Sequence, residues 1–366
     1  MKKMLMYVIF VMILCSLVLV FPAASAENGK IVYRNGDLIF IMNADGSGQT
    51  LVYEGPSLDH QPACSPDGER IAFTSNYRPG HWQEWGLYVM NVDGSGQTSL
   101  TDDPYYGGLS PSWTPDGTKI AYHGGGIMGG GIYLVRPDGT DRTFLTSLAP
   151  WGDGISWSPD GTKYAFTDNN WQINVINADG TDQISLTNNA YFNSNPDWSP
   201  DGTKIVFESY RGQGIDLYTM NSVDGSDETR LTFTDNYALN PDWSPDGTKI
   251  AFESEELDGS KKIYVMNADG SDQTRLTNDY WDREPSWCPA PGSLEVKSSP
   301  AKAKIYINGI YTEQVTRWKF DDMAPGDYEV YVILDGYSTP PTETVKVISG
   351  QTASLHFKLD KVKKVK

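Results

Sequence analysis

One ten-residue phrase, Trp243-Ser244-Pro245-Asp246-Gly247-Thr248-Lys249-Ile250-Ala251-Phe252, constrains this chain more than any other feature, because variants of it recur. The variants end at Phe73, Tyr122, Phe166 and Phe207, each around a Ser/Thr-Pro-Asp-Gly core. The core prolines are Pro66, Pro115, Pro159, Pro200 and Pro245, separated by 49, 44, 41 and 45 residues; a degenerate copy, Ser286-Trp287-Cys288-Pro289, follows 44 further on. A second phrase alternates with the first, as in Ile263-Tyr264-Val265-Met266-Asn267-Ala268-Asp269-Gly270. Its aspartates are Asp45, Asp93, Asp138, Asp179, Asp224 and Asp269. A period of forty-odd residues with two turn signals per unit is the pattern of a β-propeller.

Each unit reads as four strands. Strand a ends in Pro-x-Trp (Pro241-Asp242-Trp243), and after the Ser-Pro-Asp-Gly turn comes strand b, Lys249 to Ser254. A variable loop leads to strand c, Ile263 to Met266, and an Asp-Gly turn leads to strand d, Thr274 to Thr277. Proline presets φ within a turn and glycine accepts the positive φ that closes a hairpin, while Ile, Val, Tyr and Phe suit the pleated surface between. The first unit (Lys30 to Tyr33, Leu38 to Met42, Thr50 to Tyr53) lacks strand a. The sixth Pro-x-Trp, Pro285-Ser286-Trp287, lacks b, c and d. Joining the two completes a blade from both ends of the repeat region and removes the exposed sheet edges. The expected fold is all-β: a six-bladed propeller over residues 27–291, with a small β-sandwich after it.

Residues 1–26 have the form of a secretory signal peptide. Lys2 and Lys3 precede an apolar run from Met4 to Phe21, and Ala24-Ser25-Ala26 stands before Glu27. The run is long enough to span a bilayer, but the small-residue site favours removal, and no other segment has the length to cross. The mature chain is therefore expected outside the cytoplasmic membrane, secreted, periplasmic or on the surface, as a monomer. Net charge is −18, and residues 292–366 hold 11 Lys/Arg against 9 Asp/Glu, so the acidity belongs to the repeats. That excludes nucleic acid as a partner, since phosphate binding needs a basic face.

The repeats stop at Pro289-Ala290-Pro291-Gly292. Over 292–360, Ile305-Tyr306-Ile307-Asn308-Gly309, Ala324-Pro325-Gly326-Asp327-Tyr328-Glu329-Val330 and Asp335-Gly336-Tyr337 give short alternating strands with Asn-Gly, Pro-Gly and Asp-Gly turns, a small β-sandwich. Residues 361–366 form a basic tail. The Ser-Pro-Asp-Gly and Asn-Ala-Asp-Gly-Ser units resemble the propeller repeats of the TolB family, which also occur in prolyl oligopeptidases. The C-terminal segment resembles a PEGA domain; its name tetrapeptide is Pro300-Ala301-Lys302-Ala303 here, departing at two positions, while Ala324-Pro325-Gly326 and Asp335-Gly336-Tyr337 match. The resemblance implies a non-enzymatic extracytoplasmic scaffold and leaves the ligand open.

The sequence offers little for catalysis. It has no Gly-x-Ser-x-Gly nucleophile elbow, and none of His60, His81, His123 and His356 lies in a His-Glu-x-x-His pattern. Gly124 to Gly131 contains a formal Gly-x-Gly-x-x-Gly, but strand c follows it where a nucleotide site needs a helix. The Asp-Gly-Ser turns lack the glutamate that closes a calcium loop and read as hairpin turns. Neither cofactor nor metal is expected. Trp113, Trp157, Trp198, Trp243 and Trp287 recur in step with strand a and read as packing between blades. One enzymatic alternative is a sugar-acid polysaccharide lyase, which uses a metal held on histidines and a glutamine in a propeller channel; His60 and Gln61 are its only candidates. A purely structural envelope component is the other alternative.

The candidate binding face lies at the d–a loops. Trp151, Phe192, Tyr237 and Trp281 each stand eight residues before the turn proline, and Tyr106, Tyr191 and Tyr280 stand nine before. Inside that ring come His60, Gln61, Asp153, Asn193, Asn195, Asn240, Asp282 and Glu284, and the b–c loops add Trp82, Trp85, Trp171 and Arg211. Aromatic platforms around amides and carboxylates suit an envelope protein, a peptide or a glycan. The alternative is that the rings fold down between blades. Finally, Cys64 replaces the recurrent Trp of the second blade and Cys288 the recurrent Ser of the closing blade. The two positions differ by one in strand register on neighbouring blades, so they either face each other or both point away, and a facing pair forms a disulfide only if the two inner strands bring the Cα atoms within about 7 Å.

Overall fold

The computed structural model describes residues 29–55, 59–76, 85–101, 107–126, 129–147, 154–212, 214–233, 237–323 and 325–362. Six four-stranded antiparallel sheets, each ordered a-b-c-d, occupy the repeats. The innermost strands of blades 2 to 6 are Asp59–Cys64, Gly107–Trp113, Ile155–Trp157, Phe192–Trp198 and Ala238–Trp243. Blade 1 closes the ring as the count of repeats requires. Its inner strand Asp282–Cys288 comes from the far end and pairs with Lys30–Asn35, followed by Leu38–Asn43 and Thr50–Glu54.

The turn aspartates act as predicted from residue type. Asp246 Oδ1 accepts from Ser244 Oγ at 2.8 Å, Thr248 N at 2.9 Å and Thr248 Oγ1 at 2.8 Å. Asp269 Oδ1 accepts from Ser271 N at 3.0 Å and Ser271 Oγ at 2.6 Å. These carboxylates fix hairpins. The glycine-rich segment of blade 3 is likewise a hairpin, with Ile120–Gly126 paired to Gly129–Val135.

Strand b supplies the core of each blade, as in Ile250, Ala251 and Phe252, all buried. The clusters cross from blade to blade: Ile31, Tyr33 and Trp287 of blade 1 pack with Ala251, Ile263 and Leu276 of blade 6. The five repeated tryptophans are all under a tenth exposed, and each contributes on the order of 5 kcal/mol of burial. Cys64 and Cys288 face each other and are joined as a disulfide, with Cα atoms 5.1 Å apart.

Two further sheets follow. Gly292–Ser299 pairs with Trp318–Met323 and, in parallel, with Thr352–Lys358. Ile310–Val315, Lys304–Ile307, Gly326–Ile333 and Glu343–Val347 form the second sheet in that order. Leu294, Val296, Ile305, Val330, Val332 and Phe357 make a common core between them. The connecting residues touch both sides. The Pro289 carbonyl lies against Gly68 of a Ser-Pro-Asp-Gly turn, and Ala290 N donates to Ser349 Oγ at 2.8 Å. The sandwich thus follows on the Ser-Pro-Asp-Gly side, opposite the d–a loops. No helix among the described residues is long and apolar enough to cross a membrane.

Candidate binding site

The innermost strands do not alternate evenly. In blades 1, 2, 3, 5 and 6 the a–b ladder shifts register, at Val32/Arg34, His60/Ala63, Leu109/Ser112, Ser194/Asp197 and Leu239/Asp242. At each shift one residue takes a left-handed conformation: Glu284 (φ 53), Gln61 (52), Ser110 (52), Asn195 (47) and Asn240 (51), with Gly154 (78) in blade 4. All six stand five residues before the turn proline. A bulge of this kind re-aims side chains, and here it turns them onto an axial cavity of about 140 Å³.

These residues are laced to one another. Gln61 N donates to Glu284 Oε2 at 2.7 Å, Ser110 N to Gln61 Oε1 at 2.8 Å, and Gln61 Nε2 to Ser110 Oγ at 3.1 Å. Across the cavity, Asn240 N donates to Glu208 Oε1 at 2.6 Å, and Asn195 Nδ2 to the same oxygen at 2.7 Å. Glu208 belongs to a second pseudo-symmetric set, the residue after each core aromatic of strand b: Arg34, Thr74, His123, Thr167, Glu208 and Glu253, all buried. Glu253 receives Lys261 Nζ at 2.7 Å, Arg283 Nε at 3.2 Å and Asn240 Nδ2 at 3.0 Å. Arg34 Nε lies 3.2 Å from Glu284 Oε2. Burial pushes the Glu284 carboxyl above its ordinary range, against the pull of Arg34.

A deeper tier comes from the middle residue of Pro-x-Trp. Asp197 accepts Ser156 Oγ at 2.8 Å and Trp243 N at 2.7 Å, and Asp242 accepts Trp287 N at 2.6 Å. Each bond ties one inner strand to the next. Burial raises Asp197 to about 6, and burial together with Asp197 raises Asp242 well above the usual carboxylate range.

The rim is aromatic. Phe192, Trp281 and Tyr237 are 56%, 48% and 37% exposed, and Trp171, Tyr191, Tyr210 and Tyr280 are also exposed. These rings project into solvent and do not fold down between blades. Trp171, Phe192 and Tyr210 form a contiguous group, with centroids 6.0 and 6.4 Å apart in turn, and Tyr280 meets Trp281 edge-on at 5.0 Å. Arg211 lies over Tyr191 at 5.1 Å. The backbone beneath is pinned: Gly36 N donates to Trp281 O and Glu255 N to Tyr237 O.

Of the residues singled out from sequence, Gln61, Asn195, Asn240 and Glu284 line the cavity; Trp82, Tyr106, Trp151 and Asp153 lie outside the described residues. Three members of the expected polar ring are corrected: Asn193, Asp282 and His60. Asn193 and Asp282 are fully buried away from the cavity. Asn193 is tied to Asn189 and Ser209, and Asp282 to Asn35. His60 stands off the cavity, with Nε2 3.1 Å from Arg34 Nη1 and its ring edge-on to Trp85. Burial, then Arg34 and Arg283, lower its pKa to about 4, so it is neutral at pH 7. His60 and Gln61 therefore face different partners. No group of three His, Cys, Asp or Glu placed to hold a metal occurs among the described residues. Sequence reasoning missed Ser110, Gly154, Glu208, Glu253 and the Asp197–Asp242 tier. Counting back five and three residues from each turn proline finds all but the two glutamates.

Comparison with known proteins agrees with this architecture. Residues 78–291 match the TolB β-propeller domain model, and residues 291–363 match the PEGA domain model. No curated protein matches the chain. Among solved structures, TolB from Acinetobacter baumannii superposes with a TM-score of 0.61 at 23% identity, covering 71% of this chain and 67% of that one. A protein assigned as TolB from Agrobacterium tumefaciens gives 0.57 at 23% identity, covering 70% and 91%. A chain of the nidogen/laminin complex gives 0.59 at 12% identity, covering 71% and 98%. With a family model spanning most of the repeats and a ring of six blades closed by its last strand, the chain belongs to the TolB β-propeller domain family, its propeller followed by a PEGA domain.

Proposed function

We propose that this protein is a non-enzymatic binding scaffold that works outside the cytoplasmic membrane and engages an envelope protein, a peptide segment or a glycan at its propeller mouth. The observation that carries this reading is the exposed aromatic arc Trp171–Phe192–Tyr210, with Tyr237, Tyr280 and Trp281, standing on pinned backbone around a polar cavity. Large exposed apolar surface rimmed by polar groups marks interaction sites, and aromatic rings on a rigid frame lose little entropy on binding. The lyase alternative needs a histidine and a glutamine turned to one metal, whereas His60 faces a guanidinium and Gln61 is bonded to Ser110. Export by the residue 1–26 signal fits the Cys64–Cys288 disulfide, since such bonds persist in oxidising compartments.

The test is site-directed photocrosslinking in the native envelope. A crosslinking residue at Phe192 or Tyr237 should trap one discrete partner. The same residue at exposed Thr203, on the Ser-Pro-Asp-Gly face, should not. Equal trapping from both faces, or from Thr203 alone, would move the site elsewhere.

A further inference from the structure

The wall of the axial cavity is unusual in what it lacks. Four residues before the turn proline, five of the six blades carry proline (Pro62, Pro111, Pro196, Pro241 and Pro285), and proline has no N–H to offer. Three of the neighbouring backbone donors are spent within the ring. Gln61 N goes to Glu284, Ser110 N to Gln61, and Asn240 N to Glu208. Each side-chain amide also donates within the wall: Gln61 Nε2 to Ser110, Asn195 Nδ2 to Glu208 and Asn240 Nδ2 to Glu253.

Strong acceptors remain open. Glu284 is bonded only through Oε2 and Asp242 only through Oδ2, so Glu284 Oε1 and Asp242 Oδ1 have no partner among the described residues, and Asn195 Oδ1 has none either. The nearest cations, Arg34, Lys261 and Arg283, stand outside the lining and are engaged with Glu284 and Glu253. An anion entering here faces two unpartnered carboxyl oxygens, with only serine hydroxyls and the second hydrogens of the Gln61 and Asn240 amides to set against them.

We infer that the cavity receives a cationic N–H group of the ligand, a primary ammonium or a guanidinium on an alkyl stem, aimed at Glu284 and Asp242. This rests on the reading of the mouth as the binding face. The volume agrees: about 140 Å³ holds such a head and a short stem, a water molecule's share of the liquid being about 30 Å³. Charge-assisted hydrogen bonds to carboxylates are the stronger kind, and here they form on two half-buried carboxyls at the foot of the cavity. The raised pKa of Asp242 is that of a buried carboxyl without its counter-ion. The aromatic arc then holds whatever carries the cation.

The experiment uses the full chain and three small probes: the N-acetyl methylamides of lysine, arginine and norleucine, titrated by ligand-observed saturation-transfer NMR. The lysine or arginine probe, or both, should bind at least tenfold more tightly than norleucine, its uncharged counterpart. Glu284→Gln and Asp242→Asn should each weaken that binding about tenfold with unchanged thermal melting. Should Asp242→Asn fold poorly, Glu284→Gln alone decides. Equal binding of lysine and norleucine, or full affinity in Glu284→Gln, would overturn the inference. So would calcium or magnesium ions alone occupying the cavity and excluding the lysine probe. Crosslinking from Phe192 separates the two levels: rim-dependent capture with no preference for the cationic probes sinks this inference and leaves the binding face intact, whereas loss of both sinks both.

Discussion

Reducing the Cys64–Cys288 bond should cost the propeller several kcal/mol without opening the ring. The two cysteines are 224 residues apart in sequence. In the chain-entropy model, tying a loop that long removes about 18 cal/mol/K from the unfolded chain, or roughly 5 kcal/mol at 25 °C. The native state keeps its other closure, because Asp282–Cys288 stays paired along Lys30–Asn35 whether or not the sulfurs are joined. The loss should therefore appear as weaker global stability, with the blade-1 sheet still formed. At about 2 °C per kcal/mol for a domain of this size, melting should fall by roughly 10 °C. The assay is urea unfolding of the same protein, oxidised and then reduced, which changes no side chain beyond the bond itself. Coincident midpoints would refute the reasoning. Two free thiols titrated in the unreduced, denatured protein would refute its premise.

Other consequences are smaller in scope. Because the Asp197 pKa is raised to about 6 in the folded protein, its contribution to stability is full below its unfolded value near pH 4 and is lost as pH rises through about 6. Asp197→Asn should flatten the urea midpoint across that window, and an unchanged pH profile would contradict it. Gly225 has φ +72, and an added Cβ would sit 2.2 Å from Leu186 O of the preceding blade. Gly225→Ala should cost about 2 kcal/mol or more, read as a shift in urea midpoint. Trp198→Ala leaves a cavity between blades and should cost about 3–5 kcal/mol; a loss under 1 kcal/mol by the same measurement would remove the tryptophans from the core.

The architecture was legible because its signals are local and repeated. Each Ser-Pro-Asp-Gly or Asp-Gly names a turn by residue chemistry, and five of the first with one degenerate copy, against six of the second, set the blade number and its closure. The cysteines were legible as a facing pair or an averted one, since parity alone does not choose; only packing placed them face to face. The site was less legible, because the bulge breaks the period-two alternation that otherwise gives side-chain direction. Residues five before the turn proline face the cavity, so even alternation would send those seven before it the same way; Asn193 and Asp282 are turned into the blade instead. Nor does residue type announce the bulge. Asparagine and glycine accept a left-handed φ readily, but Gln61, Ser110 and Glu284 adopt it because the ladder imposes it. Glu208 and Glu253 were hidden for another reason: they sit inside strand b, where carboxylates are rare unless satisfied from outside the strand.

The central claim is that the mouth engages the ligand, and one comparison tests it most directly. The partner trapped by crosslinking is purified and its affinity measured for the wild type and for the Phe192→Ala, Trp281→Ala double variant, with melting followed in parallel. Both rings are about half exposed, so their removal should leave melting within a few degrees. Binding should weaken at least a hundredfold, about 2.7 kcal/mol, as for paired aromatic anchors. Unchanged affinity in a folded double variant, or loss of folding together with binding, would contradict the account.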